Sequence, residues 1–197
     1  MTLMTEQLLE RPQPHRFTRE EYYQMADLGF FQGHRVELIE GEIVEMAAMK
    51  DLHAVAVGIV AQTLALAFPG CWVRGQLPLS LISDTEPEPD LAVVPGMPRD
   101  YKGKGHPASA LLVVEIADTS LHFDRSEKAS LYARAGIKDY WIVNLVENQV
   151  EILRDPEVKA AAMYGYAYRA VEVRRPGDSI TPLAQPDAII AVADLLP

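Results

Sequence analysis

Two carboxylates and one amine in this chain have the types and spacing for hydrolytic chemistry. Asp90 follows Pro89 at the head of an apolar run, Leu91-Ala92-Val93-Val94, and Glu115 closes another, Leu111-Leu112-Val113-Val114. Lys128 opens a helical stripe at spacing 0, 3, 4, 7 that continues through Leu131, Tyr132 and Ala135. An ammonium on an inward face and a carboxylate ending a buried run are each costly alone, so Glu115 is the natural partner of Lys128. Two neighbouring carboxylates also repel, and demand a shared proton, a lysine or a divalent cation. Oxygen-only ligands suit Mg²⁺ or Mn²⁺, which take one or two carboxylates and keep positions for water and phosphate.

The elements that would position these groups follow from the pattern. Leu111–Val114 and Tyr140–Leu145 are apolar on both faces, as inner strands are. The connection from Asp118 to Asp139 is long enough for a parallel crossover with a helix. Asp124 with Glu127 reads as a capping box, placing the helix from Asp124 to near Gly136. The Asp90 strand and the Glu115 strand are joined by the Gly/Pro/Lys loop Pro95–Pro107 without a helix, so they should pair antiparallel. That pairing sets Asp90 beside Glu115 at one sheet edge, with the Lys128 helix crossing it.

Elsewhere, Thr18 and Glu21 form a capping box for a helix Arg19–Leu28, and Glu40-Gly41 turns a hairpin between 35–39 and 42–46. Asp51 is read as the cap of a helix Leu52–Phe68, apolar all round and therefore covered on every side. Trp72–Ser83 reads as a strand gapped at Pro78, followed by an acidic turn, Asp84–Glu88. Gln149–Arg154 and Tyr166–Arg174 should pair antiparallel, and Ala188–Leu196 adds a last strand or helical turn. The expected class is α+β (an α/β sandwich): a mixed sheet flanked by helices, with a β-rich C-terminal end.

Length and composition fit one domain over residues 17–197, preceded by a loose polar tail, 1–16. A lone Cys71 and no secretory signal suit a reducing, cytoplasmic setting, and no apolar stretch approaches a membrane span. The net charge of −10 argues against a constitutive basic grip on nucleic acid, but not against a site where metal ions supply the positive charge.

Pro89-Asp90, then Glu115, then a lysine resembles the PD-(D/E)XK superfamily of restriction-endonuclease-like proteins. In that pattern the lysine sits two residues after the glutamate, where this chain has Ala117. The run Val114–Ser120, followed by Asp124, Lys128, Tyr132, Gly136 and Asp139–Val143, is similar to one bacterial endonuclease branch in which the lysine has migrated to the following helix. Glu37–Gly41, His53 and Pro89-Asp90 fit the same branch, so the resemblance spans 17–196. It implies that Asp90 and Glu115 hold Mg²⁺ (or Mn²⁺), with the carbonyl of Ile116 as a further ligand. Lys128 would orient or activate the attacking water or stabilise the pentavalent phosphate. Glu37 enters as a secondary acid near the cluster, with His53 and Gln76 as lesser candidates. The implied activity is hydrolysis of phosphodiester bonds in DNA by a homodimer. The alternative, favoured by the charge and by Ala117, is a catalytically inactive nuclease-fold module for binding or assembly.

Each residue also has a plainer reading. Asp90 alone is an ordinary strand start, Lys128 alone a snorkelling surface lysine, and His53 a helix-start histidine with a satisfied hydrogen bond. Trp72, Tyr132 and Trp141 read as core. Asp100-Tyr101-Lys102 matches a D-x-K pattern but lies in the Gly/Pro loop, where nothing fixes its geometry. The remaining histidines lack zinc-ligand spacing.

Overall fold

The computed structural model describes residues 12–197. Most of the expected N-terminal tail lies outside the described residues; its last residue, Arg16, donates to the Glu40 carbonyl at 2.9 Å and pairs with Glu42 at 2.8 Å. The order is α1 (Arg19–Asp27), β1 (Val36–Ile39), β2 (Glu42–Glu45), α2 (Asp51–Ala67), β3 (Cys71–Gly75), β4 (Leu91–Pro95) and β5 (Leu112–Ala117). There follow α3 (Leu121–Phe123), a π-helical turn Asp124–Lys128, α4 (Ala129–Arg134), β6 (Asp139–Asn144), β7 (Gln149–Val158) and β8 (Tyr166–Arg174). Two short strands, β9 (Ser179–Ile180) and β10 (Ile190–Ala191), and a 3₁₀ turn Val192–Leu195 end the chain.

Strands β3 to β8 form one six-stranded sheet in chain order. β5 and β6 are parallel across the helical crossover, and every other neighbouring pair is antiparallel. Successive residues point to opposite faces, so each strand feeds two layers. Val114, Ile116, Trp141 and Val143 pack with Ala56, Val60 and Leu64 of α2 and with the C-terminal Val192 and Leu195. Val113, Tyr140 and Ile142 pack on the other face with Ala129, Tyr132 and Ala133 of α4. Complete burial of such branched and aromatic side chains stabilises by roughly 1.5–3 kcal/mol each, so these two layers hold the sheet rigid. The class is the expected one, a mixed α+β sheet flanked by helices.

Several boundaries differ from the sequence reading. β5 does not stop at Glu115 but runs on to Ala117, because Ile116 and Ala117 still pair with Val143 and Asn144 of β6. β3 ends at Gly75 instead of continuing to Ser83: Gln76 turns into the left-handed region at φ 51, and the segment beyond it is irregular. The acidic stretch 84–88 is no exposed turn, since Glu86 is buried, accepts from Tyr23 and Ser80, and forms an ion pair with Arg19. Asp51 lies inside α2, whose N-cap is Lys50. α2 is covered on one stripe only, Ala56, Val60 and Leu64, and leaves Leu66 86% exposed on the other. The Thr18–Glu21 capping box forms as expected, and so does the Glu40-Gly41 hairpin with both turn residues at positive φ.

The largest local departure is in the crossover. Asp124 is not an N-cap. The helix begins at Leu121, and Asp124 sits within it, accepting a 2.6 Å hydrogen bond from Ser120 Oγ. Over Asp124–Lys128 the helix widens to a π turn, with the Ala129 N–H reaching back to the Asp124 carbonyl, which also accepts from Tyr140 OH at 3.0 Å. An Asp-x-x-Glu spacing suits a cap, but the Ser120 hydroxyl and the buried Tyr140 hydroxyl draw this turn inward instead.

Candidate active site

The site lies where the edge of β4 and β5 meets the first turn of α2 and the π turn. Antiparallel pairing of Leu91 with Val114 brings Asp90 and Glu115 together. The two are tied reciprocally: the Asp90 N–H donates to Glu115 Oε2 at 3.0 Å, and the Ile116 N–H donates to Asp90 Oδ2 at 2.9 Å. Asp90 Oδ1 lies 2.9 Å from His53 Nε2 on α2 and accepts from Gln76 Nε2 at 3.2 Å. His53 and Gln76 thus do more than fill their elements; both fix the aspartate.

Lys128 is buried, with its amine 2.6 Å from Glu37 Oε2 and 3.3 Å from Glu115 Oε1. Its nearer partner is therefore Glu37 of β1, not Glu115 as the sequence suggested. Glu37 is 1% exposed, and among the described residues its second oxygen, Oε1, is buried without a hydrogen-bond partner. Tyr132, read as core, is indeed buried, but its hydroxyl donates to Glu115 Oε1 at 2.7 Å. Asp124 completes the cluster, buried on the pocket wall beside Lys128. Sequence reading used Asp124 as a cap and missed it; its spacing of one turn before Lys128 was the available signal. Asp100, the D-x-K decoy, uses its carboxylate on the Met97 N–H at 2.7 Å.

The electrostatics are lopsided. Glu37, Glu88, Asp90, Glu115, Asp118 and Asp124 line one pocket, against Arg35, Lys50, Lys128 and His53. Burial pushes Glu115 up to about 8 despite the Lys128 charge, with Asp90 and Asp124 adding to the rise. Burial likewise lifts Asp124 to about 6, against the Ser120 hydrogen bond and Lys128. Burial acts on Asp90 too, but the His53 contact and the Ile116 and Gln76 hydrogen bonds hold it below the usual carboxylate range. Burial opposes the Lys128 charge, yet Glu115 and Glu37 keep its ammonium well above the ordinary lysine range.

This excess of buried negative charge, with an orphaned oxygen on Glu37, fits a site that takes a cation. Among the described residues no three His, Cys, Asp or Glu gather into a ready-made protein ligand set. Asp90 and Glu115 could offer one oxygen each, as in hard-cation sites completed by water and phosphate.

A mixed sheet with an Asp–Glu pair at its rim and a lysine delivered from the crossover helix defines a restriction-endonuclease-like protein. The chain belongs to the Uma2 family, described as "Putative restriction endonuclease", which matches residues 19–193. Its fold is similar to the crystal structure of "a putative nuclease belonging to DUF820" from Anabaena variabilis, at TM-score 0.66 and 16% sequence identity, covering 91% of this chain and 97% of that one. No curated protein sequence matches. The family supports nuclease chemistry and a nucleic-acid substrate. Among the described residues, no helix is long and apolar enough to cross a membrane.

Proposed function

We propose that this protein is a Mg²⁺- or Mn²⁺-dependent endonuclease that hydrolyses phosphodiester bonds in DNA. The observation that carries the reading is the Lys128 ammonium, buried between Glu37 and Glu115 at the edge where Glu115 meets Asp90. Burying an amine among crowded carboxylates costs several kcal/mol that an apolar pair would not, so a catalytic use is the economical account.

In this reading Asp90 and Glu115 hold the ion. The Ile116 carbonyl joins them, since in an extended strand a residue's C=O points to the same side as its N–H, and that N–H faces Asp90. Bound Mg²⁺ would supply Lewis-acid polarisation of the phosphate and a lowered pKa for the attacking water. Held as an ammonium, Lys128 cannot take a proton near neutral pH; it donates hydrogen bonds that orient water or stabilise charge on the phosphate. Glu37 fixes the Lys128 amine, while His53 and Gln76 fix the Asp90 carboxylate. Cutting both strands of a duplex suits a homodimer, which light scattering would test.

The test is nicking of supercoiled plasmid with Mg²⁺ or Mn²⁺ by wild type beside Asp90→Ala and Lys128→Ala. Wild-type nicking at least 100-fold above both variants supports the enzyme. Equal nicking by all three, or by none, favours the inactive binding or assembly module, which the net charge of −10 and Ala117 also suit.

A further inference from the structure

Only two cations are buried among the described residues, Lys128 and Arg74. Lys128 has its carboxylates. Arg74, 3% exposed, has no carboxylate within ion-pair distance among the described residues, and its Nε lacks any hydrogen-bond partner. Among the described residues its fork reaches only the Pro78 carbonyl at 2.9 Å and His106 Nδ1 at 3.4 Å, and its guanidinium lies 4.4 Å from the Trp72 ring centroid. Burial lowers its pKa accordingly. A buried cation without a counter-ion is expensive, and the missing partner is an anion.

The surroundings specify which anion. Arg74 lines a surface pocket with Trp72, Tyr101, Lys102 and His106. Trp72 and Tyr101 are partly exposed at the pocket, with ring centroids 5.6 Å apart and tilted by 54°. The loop over the pocket carries Arg99, Lys102 and Lys104, all exposed, in a chain that is otherwise acidic. Guanidinium fork, flanking lysines and aromatic faces are the recognition set for a nucleotide, with phosphate on the cations and base on the rings. β3 joins this pocket to the candidate active site. Gln76, just past the end of β3, touches Asp90, and Arg74 lies two residues before it on β3.

We propose that the Trp72–Arg74–Tyr101 pocket binds one nucleotide of a single strand of nucleic acid whose neighbouring phosphate reaches Asp90. It rests on the nuclease reading for the strand, while the pocket itself is read by binding alone. The experiment uses the full chain carrying Asp90→Ala, with EDTA, and follows the two indole N–H resonances by NMR. Trp141 is fully buried and serves as the internal control. Thymidine monophosphate should shift the Trp72 resonance and leave Trp141 in place, hexathymidylate should bind at least 10-fold more tightly, and inorganic phosphate more weakly than the mononucleotide. Arg74→Gln should weaken binding of the mononucleotide at least 10-fold. Tyr101→Ala should weaken the mononucleotide about fivefold and leave phosphate binding unchanged. Should Arg74→Gln fail to fold, Tyr101→Ala and Lys102→Glu, both on the loop, carry the test. A Trp72 resonance that does not move, variants that bind as the parent does, or a hexanucleotide no tighter than the mononucleotide overturn the proposal. Plasmid nicking is scored separately: binding here without nicking sinks the nuclease reading alone, and nicking without binding sinks this pocket alone.

Discussion

At the residue scale, Lys128 holds apart two acids that would otherwise face each other. Lys128→Ala leaves Glu37 and Glu115 buried without their cation, which costs about 3–5 kcal/mol where a buried pair is broken. The expected result is a large fall in the urea midpoint together with loss of nicking; an unchanged midpoint would mean that the amine does not balance those acids. Glu115→Gln separates the two roles. The amide oxygen can still accept from the Asp90 N–H, and the NH2 then donates to the Tyr132 hydroxyl oxygen, but the buried ionisable carboxyl group is gone. Nicking should fall at least 100-fold, while the metal-free protein at pH 8 should be no less stable than wild type.

The crossover shows what an element adds. Arg125 projects from the π turn and forks onto Glu151 of β7, with Nε to Oε2 at 2.8 Å and Nη2 to Oε1 at 2.6 Å, and Nη2 also reaches Glu147 at 2.9 Å. Asn144 and Gln149 donate to the same carboxylates. This network anchors the turn one residue from Asp124 and three from Lys128. Arg125→Ala leaves the buried Glu151 short of its charged donor, a loss of about 1–3 kcal/mol. Because the anchored turn carries the site, kcat should fall by more than KM rises, and Arg125→Lys should restore only part of it, since an ammonium cannot make the fork. A variant that lowers the urea midpoint and leaves kcat intact would show the anchor to be structural only.

Across the whole molecule, the buried acids tie stability to pH. A carboxyl whose pKa is higher in the fold than in the unfolded chain takes up a proton on folding. Glu115 moves from 4.5 to about 8, so the metal-free protein loses stability as pH rises through that window. Asp124, lifted from 3.8 to about 6, contributes in the same direction at lower pH. His53, raised by the Asp90 hydrogen bond against burial, likewise stabilises below its ordinary range and gives that up as pH rises. Asp90, lowered, does the reverse: its contribution is present above 3.8 and is lost on acidification. A divalent cation on ionised Glu115 would cancel the loss at high pH. Calorimetry should therefore find Tm without metal lower at pH 8.5 than at pH 6, and a larger Tm gain from Mg²⁺ at pH 8.5. Equal gains at both values would argue against Glu115 as a ligand.

Sequence alone determined the elements and their polarity: two apolar runs that read as inner strands, a connection long enough for a parallel crossover, and a loop without a crossover helix that favoured antiparallel pairing beside it. From those it followed that Asp90 and Glu115 share an edge and that Lys128 passes over it, because local pattern and chain connectivity fix such neighbours. Tertiary structure decided the rest. Glu37 became the nearest partner of Lys128, although the two are far apart in the chain, because no periodicity says where a detached hairpin will dock. Asp124 left its expected cap for the pocket wall because hydroxyls from Ser120 and the distant Tyr140 outcompete local capping. Arg74 likewise gives no sign in the sequence of being buried without an anion, since charge compensation is a property of space and not of order along the chain.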